Sequence, residues 1–170
     1  MESSKIQIHL VGNNLFSNSQ KAFTLENSKK FGERKEGRII YSPFEVLFLI
    51  NRKDAEILKN NKNIGFEELI KIFSKKDREF YTKYLVFSEL RKKGYVVKAG
   101  LKFGGEFRVY EQHNLKHAKY ICYVVKEGKI DSREIVAKAR IAHSTAKKLL
   151  LAIVDSEEDV LFYEVDWVKI

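Results

Sequence analysis

Residues 95–125, YVVKAGLKFGGEFRVYEQHNLKHAKYICYVV, largely decide the fold class of this chain. The stretch holds three runs rich in β-branched and aromatic residues, the pattern of short strands bounded by turn residues. The runs predict strands over residues 95–99, 102–110 and 117–125. We therefore expect the second half of the chain to be built around a central sheet.

Helical patterns lie on both sides of that stretch. Apolar residues at helical spacing predict an amphipathic helix over residues 78–93, stopped by Gly94. A second helix is predicted from about Ser132 to His143. Two last strands, over residues 148–154 and 160–168, are expected to flank an acidic turn.

The first half reads as short strands followed by helices. Strands are predicted over residues 5–11 and 22–25, and residues 37–41 lead into a helix start. That start is Ser42-Pro43-Phe44-Glu45, with serine at the N-cap, proline at the first helical position and a capping-box glutamate. Apolar residues from Phe44 to Leu58 predict one helix, and residues 65–74 a further helix.

These elements predict an α+β protein of two domains. A small N-terminal α/β domain is expected over residues 1–76, and a C-terminal mixed α/β domain with a central sheet over residues 77–170. The charged step Lys75-Lys76-Asp77-Arg78 marks the boundary, since it separates two segments with apolar periodicity.

The amino-acid composition limits the classes of protein to which this chain can belong. Hydrophobic residues make up 44% of the chain, enough for a buried core, and the net charge of +9 comes from basic residues spread along the sequence. That charge fits a polyanionic partner and fits a lysine-rich soluble surface equally well. The single Cys122 excludes an internal disulfide. With no signal peptide or apolar run of about 20 residues, we expect a cytoplasmic protein with no membrane partner.

Three short runs contain residue types that could form one RNA-cleaving site. Tyr110 ends the run KFGGEFRVY, His117 opens HAKY, and Lys147 lies in ARIAHSTAKK just before an apolar strand. A phenol, an imidazole and an ammonium can together supply a base, an acid and a fixed positive charge. Such a set cuts RNA with no metal and no cofactor, and no spacing of carboxylates and histidines in the sequence predicts a metal site.

Each of these residues also has a structural interpretation. A tyrosine at a strand end is usually a core edge, and its ordinary pKa of about 10 suits a base poorly at neutral pH. Lys147 has an equal neighbour in Lys148, and His113 and His143 are alternative histidines. A histidine at the end of a helix, such as His143, also interacts favourably with the helix dipole.

The order and spacing of these blocks resemble the archaeal tRNA-intron endonucleases, the splicing endonucleases that remove introns from precursor tRNA. The resemblance covers roughly residues 80–170 well and the first half only loosely. It is carried by six blocks: residues 84–87, 94–95, 102–110, 117–120, 140–147 and 163–165. One departure is Glu106, which stands where many relatives have aspartate.

The resemblance implies a role for each reactive residue. Tyr110 would be the general base on the ribose 2′-hydroxyl, His117 the general acid to the leaving 5′-oxygen, and Lys147 the stabiliser of the charged phosphorane. The implied substrate is the bulge-helix-bulge fold of precursor tRNA, and the implied products carry 2′,3′-cyclic phosphate and 5′-hydroxyl ends.

Two further sets of residues follow from the resemblance. Arg140 and Trp167 match positions that clamp a flipped bulge base, although Arg140 could instead pair with a local carboxylate and Trp167 could complete a core. The acidic turn would dock into a basic pocket of an opposing subunit, with the last strand pairing across a two-fold axis, or it is a solvated hairpin. Its carboxylates are Asp155, Glu157, Glu158 and Asp159.

Several alternatives stay open on sequence alone. The chain could form a homotetramer, or pair two-plus-two with a separate non-catalytic chain. It could itself be a non-catalytic subunit of such a complex, a different nuclease, or a general RNA-binding module.

Overall fold

The computed structural model describes residues 5–101 and 104–170, which form five helices and eleven strands in two sheets. The chain divides between Phe80 and Tyr81 into two compact units. Phe80 itself packs against Phe44 and Phe73, with ring centroids 4.8 and 5.2 Å away, which places the start of its helix in the first unit. The α+β fold predicted from the sequence is confirmed.

The first unit contains a mixed sheet with three helices among its described residues. Its elements are β1 (Ile6–Val11), β2 (Asn14–Ser17), α1 (Gln20–Lys29), β3 (Glu33–Lys35), β4 (Arg38–Ile40), α2 (Pro43–Asn51), β5 (Ala55–Lys59), β6 (Lys62–Ile64) and α3 (Phe66–Ser74). The strand order is β3-β4-β2-β1-β5-β6, with β1 and β5 parallel. The predicted capping box at Ser42 and Glu45 is present, and the Glu45 carboxylate also accepts the Gly32 N–H at 2.9 Å.

Two predictions in this unit were wrong. Residues 22–25 are helical rather than extended, because the Ser19 side chain caps α1 by accepting the Ala22 N–H. The helix that begins at Pro43 does not continue to Leu58: Lys53 adopts a left-handed φ of 64° and the chain then enters the sheet as β5. No glycine or proline marks that stop in the sequence, and the fully buried Ile57 fits a strand as well as a helix.

The second unit is a five-stranded sheet with a helix on each face in the described part of the chain. Its elements are α4 (Phe80–Lys92), β7 (Val96–Ala99), β8 (Phe107–Tyr110), β9 (Tyr120–Lys126), α5 (Ser132–Ser144), β10 (Lys148–Val154) and β11 (Val160–Val165). The strand order is β11-β10-β9-β8-β7, with β9 and β10 parallel and the other neighbours antiparallel.

Strand β8 is shorter than its predicted span of residues 102–110. Lys102 and Phe103 lie outside the described residues, and residues 104–106 form a turn and bend before Phe107. The left-handed φ of 79° at Gly104 is incompatible with an extended strand, and the bend then brings Gly105 so close to β9 that a Cβ there would lie 2.6 Å from the Cys122 carbonyl oxygen. Strand β11 ends at Val165, so Trp167 and Val168 follow the strand rather than extend it.

The two faces of this sheet are distinct. Ile121, Tyr123 and Leu149 pack under α5 around Ala142. On the opposite face, Phe107 contacts Phe87 of α4, with ring centroids 5.9 Å apart. Because side chains alternate along a strand, this division fixes which strand residues share the α5 face.

Candidate active site at one edge of the C-terminal sheet

Tyr110, His117 and Lys147 lie where the strands of this sheet end, at one end of the sheet. We call this end of the sheet the reactive edge. The edge consists of the end of β8 and the starts of β9 and β10. The Lys119 N–H donates to the Val109 carbonyl at 2.8 Å, and the Lys148 N–H donates to the Lys119 carbonyl at 3.2 Å. Two hydrogen bonds thus join the three chain segments side by side, and they bring β10 next to the β8–β9 connection from a distant part of the sequence.

Tyr110 is the last residue of β8 and is half-buried. Arg108, two residues earlier, pairs in register with Ile121, so both Arg108 and Tyr110 project from the α5 face. The Arg108 Nε donates to the Ala99 carbonyl at 2.7 Å, and its guanidinium carbon lies 5.8 Å from the centre of the Tyr110 ring. This cation–π contact orients the phenol at the strand end.

His117 is exposed in the connection between β8 and β9. An ion pair closes that connection, with Lys119 Nζ 2.7 Å from Glu111 Oε1, and Ala118 is buried beneath it. The pairing lowers the pKa of the Glu111 carboxyl and raises that of the Lys119 ammonium. Within residues 5–101 and 104–170 no protein group hydrogen-bonds to the imidazole of the exposed His117.

The two neighbouring lysines occupy different surroundings. Lys148 Nζ lies 2.7 Å from Glu164 Oε1, and Tyr120 donates its hydroxyl to Glu164 Oε2 at 3.1 Å. This pairing raises the pKa of Lys148 and lowers that of Glu164. Lys148 shares its register with Tyr120 and thus the α4 face, opposite Tyr110.

Lys147 sits in the tight turn between α5 and β10. Its N–H donates to the Ala142 carbonyl at 2.8 Å, and its half-buried ammonium donates to the Thr145 carbonyl at 3.0 Å. The turn is made by Ala146, whose φ of 56° is left-handed. Lys147 therefore presents its ammonium from a defined backbone position in the turn.

The remaining histidines have other contacts. His113 is 81% exposed and lies 3.3 Å from the Glu111 carboxylate. His9 lies in β1 of the first unit and contacts the Phe16 ring, with centroids 5.6 Å apart. His143 contacts Trp167, with ring centroids 5.1 Å apart.

Arg140 and Trp167 lie near the same end of α5. Trp167 is 50% exposed, so it does not complete a core. Arg140 is exposed and stands three residues before His143, which places it one helical turn from the residue that Trp167 contacts. In the described ranges no carboxylate lies within ion-pair distance of Arg140.

The acidic turn lies at the opposite end of the sheet. The Asp155 carboxylate accepts the N–H groups of Glu157 and Asp159, both at 2.9 Å, and Glu158 accepts the Tyr81 hydroxyl at 3.1 Å. The side chains of Glu157 and Asp159 are exposed and, among the residues described, contact no cation. The four carboxylates thus differ in what they do within the fold.

Glu106 has a role in the sheet. Its carboxylate accepts the Val124 N–H at 2.9 Å, where β8 has not yet begun and cannot supply a strand partner. Burial raises the pKa of this carboxyl, against the opposing effects of that hydrogen bond and of Lys138 and Lys83. Glu106 therefore extends the pairing of β9 with a side chain.

Two other kinds of site are absent from the part of the chain that the structure describes. No cluster of three or more histidine, cysteine, aspartate or glutamate side chains that could hold a metal ion occurs among residues 5–101 and 104–170. In those same ranges no helix has both the length and the apolar character needed to cross a membrane.

Sequence reasoning missed three features of the reactive edge. Arg108 could have been found from its spacing of two residues before Tyr110, which puts both on one strand face. The Lys148–Glu164 ion pair joins residues on neighbouring strands, so it depends on register that the sequence does not state. The Glu111–Lys119 ion pair joins the two ends of the β8–β9 connection and depends on the conformation of that connection.

Comparisons with known proteins find relatives of both parts of the chain. Residues 80–162 match the family model of the tRNA intron endonuclease, catalytic C-terminal domain, and residues 6–70 that of the tRNA intron endonuclease, N-terminal domain. A tRNA-splicing endonuclease from Thermococcus onnurineus is 39% identical over 166 residues, covering 96% of this chain and 97% of the relative. One from Pyrococcus abyssi is 36% identical with the same coverage, and one from Methanothermobacter thermautotrophicus is 36% identical over 85% of this chain and 86% of its own length.

Proposed function

Because this chain belongs to the tRNA intron endonuclease family and is a tRNA-splicing endonuclease, we propose that its reactive edge cuts precursor tRNA at bulge-helix-bulge junctions. The observation that carries the proposal is that the end of β8 and its connection to β9, with Tyr110 and His117, lie beside the α5–β10 turn with Lys147 at one end of neighbouring strands. The C-terminal domain, predicted over residues 77–170, carries the chemistry in this proposal, and the N-terminal domain, predicted over residues 1–76, does not.

The cleavage is an in-line attack of the ribose 2′-oxygen on the adjacent phosphorus. Tyr110 accepts the 2′-hydroxyl proton, and the new P–O bond forms as the bond to the 5′-oxygen breaks. His117 donates a proton to that leaving oxygen, which gives 2′,3′-cyclic phosphate and 5′-hydroxyl ends. Lys147 neutralises the extra negative charge on the phosphorane.

The choice of Lys147 over Lys148 rests on the carboxylate that pairs with Lys148 and on the sheet face from which Lys148 projects. The Glu164 carboxylate lies 2.7 Å from the Lys148 ammonium and would compete with a phosphate for it. Lys148 also projects from the sheet face opposite to Tyr110. Lys147 is held in the turn that ends beside Ala142, on the α5 side of the sheet.

Arg140 and Trp167 hold the substrate in this proposal. A guanidinium or an indole stacks on any base, so the pair would grip an unpaired bulge nucleotide with little regard to its sequence. Recognition would otherwise depend on the shape and phosphate charge of the RNA, in keeping with the net charge of +9.

The test of the chemistry is cleavage of a bulge-helix-bulge RNA in excess EDTA, with analysis of the product ends. We expect undiminished cleavage and a 5′ product that resists a phosphatase specific for 3′-monoesters until the cyclic phosphate is opened by acid. Loss of activity in EDTA, with recovery on addition of Mg²⁺, would contradict the metal-free mechanism. A 3′-hydroxyl on the 5′ product would contradict the attack by the 2′-oxygen.

We further propose that the acidic turn docks on an opposing subunit, in a homotetramer or a two-plus-two assembly. Glu157 and Asp159 are the docking pair, since Asp155 and Glu158 are engaged within their own unit. The exposed Leu161 and Tyr163 lie on β11, a sheet edge that pairing with a second copy would cover.

Sedimentation without RNA tests this assembly. The double variant Glu157→Gln, Asp159→Asn should weaken or dissociate the complex, and raised salt should act likewise because exposed charge pairs are screened. Glu127→Gln, also an exposed carboxylate at this end of the sheet, is the control. An unchanged sedimentation coefficient in the double variant would show that the turn is a solvated hairpin and not a docking site.

A further inference from the structure

Three residues join the C-terminal end of α5 to the segment that follows β11. Asp166 Oδ1 accepts the Trp167 backbone N–H at 2.9 Å. The same oxygen lies 3.9 Å from His143 Nδ1, a contact that becomes an ion pair when the imidazole is protonated. The imidazole and the Trp167 ring contact one another at 5.1 Å between centroids and 57° between planes.

This arrangement restrains the indole without burying it. Trp167 lies beyond the end of β11, so the strand ladder no longer fixes its position. The His143 ring supports one part of the indole, and half of the side chain stays open to solvent. An aromatic ring that is supported and half exposed can accept a second flat group by stacking.

The position of the three residues connects them to the reactive edge. His143 lies four residues before Lys147, and Arg140 lies one helical turn before His143. A base stacked on Trp167 would therefore lie near both the guanidinium of Arg140 and the turn that holds Lys147.

We propose that His143 and Asp166 are positioning residues that hold the Trp167 indole ready to stack on an unpaired RNA base. The inference rests on the proposed function, since it assumes that Trp167 contacts the bulge. His143 contributes by ordering Trp167 before RNA arrives, because a side chain that is already fixed loses less conformational freedom on binding. It transfers no proton in the reaction.

The first test needs no RNA, because Trp167 is the only tryptophan of the chain. In the full-length protein, His143→Ala should increase acrylamide quenching of the tryptophan fluorescence, and His143→Phe, which keeps a flat ring, should restore the native value. His9→Ala is the matched control, since it removes a second histidine–aromatic contact, with Phe16 at 5.6 Å, in the other unit. Equal quenching in His143→Ala and the unchanged protein would overturn the proposed support of the indole.

The second test is a double-mutant cycle in single-turnover cleavage. Trp167→Ala should raise the half-saturating protein concentration by about 10- to 100-fold, the range for loss of one stacked base. His143→Ala should raise it by about 2- to 10-fold, the range for ordering one side chain. His143→Phe should rescue it, and adding His143→Ala to Trp167→Ala should have no further effect.

The outcomes separate this inference from the function on which it rests. Additive effects of His143→Ala and Trp167→Ala would show that His143 does not act through the indole. A loss confined to the maximal rate in His143→Ala, not rescued by phenylalanine, would make the residue catalytic instead. If Trp167→Ala alone leaves half-saturation unchanged, the proposed role of Trp167 in RNA binding fails, whereas the quenching result still decides whether His143 supports the ring.

Discussion

The two ends of the C-terminal sheet carry charged groups that are held in different ways. At the acidic turn, Asp155 takes both of its hydrogen bonds from N–H groups within four residues. At the reactive edge, Lys147 is brought beside Tyr110 and His117, which come from a distant part of the sequence, by the strand ladder. A charged residue whose partners are its own neighbours shapes the local backbone, whereas residues assembled from distant segments form a site that no single segment requires for its folding.

The largest effect should come from the reactive edge. We expect His117→Ala and Lys147→Ala each to lower single-turnover cleavage by about 100-fold or more, since acid catalysis and fixed-charge stabilisation are typically of that size. Circular dichroism and thermal unfolding should be unchanged, because neither side chain supports the core. Lys148→Ala is the matched control; normal cleavage by Lys147→Ala with a loss in Lys148→Ala would reverse the choice of lysine.

Tyr110→Phe tests the phenol alone. The substitution keeps the ring and its contact with Arg108, which lies 5.8 Å away, and removes only the hydroxyl. We expect cleavage to slow by about 100-fold through loss of the base, with RNA affinity within twofold of normal. The measurements are single-turnover rates and a binding titration that is completed before the RNA is cleaved. An unaltered rate would remove Tyr110 from the site.

The fold of the second unit was largely predictable because its signals are local and strong. The strand at residues 148–154 was predicted at its observed bounds, and the following turn and helix α5 were found within a residue or so. In the first unit, the end of α2 was missed because Lys53 takes a left-handed conformation with no glycine to announce it. The run that begins at Ala22 was wrongly predicted as a strand. Ala22 is buried because it lies on a helix capped by Ser19, not because it alternates along a strand.

In the candidate active site, too, some features could be predicted from the sequence and others could not. Tyr110, His117 and Lys147 were chosen on residue type and family resemblance, and their neighbouring strand ends follow from register that sequence alone does not give. The role of Asp155 within its turn, and the support of Trp167 by His143, depend on side-chain contacts. Such contacts join residues whose types are common on any protein surface, so the sequence offers no signal for them.

Asp155→Ala tests whether that carboxylate shapes the turn. It removes the acceptor of two N–H groups and should lower the free energy of unfolding by about 1 kcal/mol, or the melting temperature by roughly 2–4 °C. Glu127→Ala, which removes an exposed carboxylate at the same end of the sheet, should stay within about 0.5 kcal/mol. Thermal unfolding at a fixed low protein concentration measures both. Equal losses of stability in the two variants would show that the Asp155 carboxylate does not shape the turn.

The smallest effect concerns Glu106, at the same end of the sheet as the acidic turn. Burial raises the pKa of this carboxyl in the folded protein. The folded state therefore holds the proton more tightly than the unfolded state, so this group favours folding at low pH and that contribution is lost as pH rises through the folded pKa.

Glu106→Gln keeps an oxygen that can accept the Val124 N–H but cannot ionise. The stability of the variant relative to the unchanged protein should accordingly improve between about pH 4 and about pH 8, as the carboxylate of the unchanged protein becomes charged. Melting temperatures across that range measure the difference, with Glu127→Gln as the exposed control at the same end of the sheet. A difference that is constant with pH would show that the carboxyl is no harder to ionise in the fold than in the unfolded chain. A difference that favours the carboxylate at high pH would show that the Val124 hydrogen bond and the charges of Lys138 and Lys83 outweigh burial.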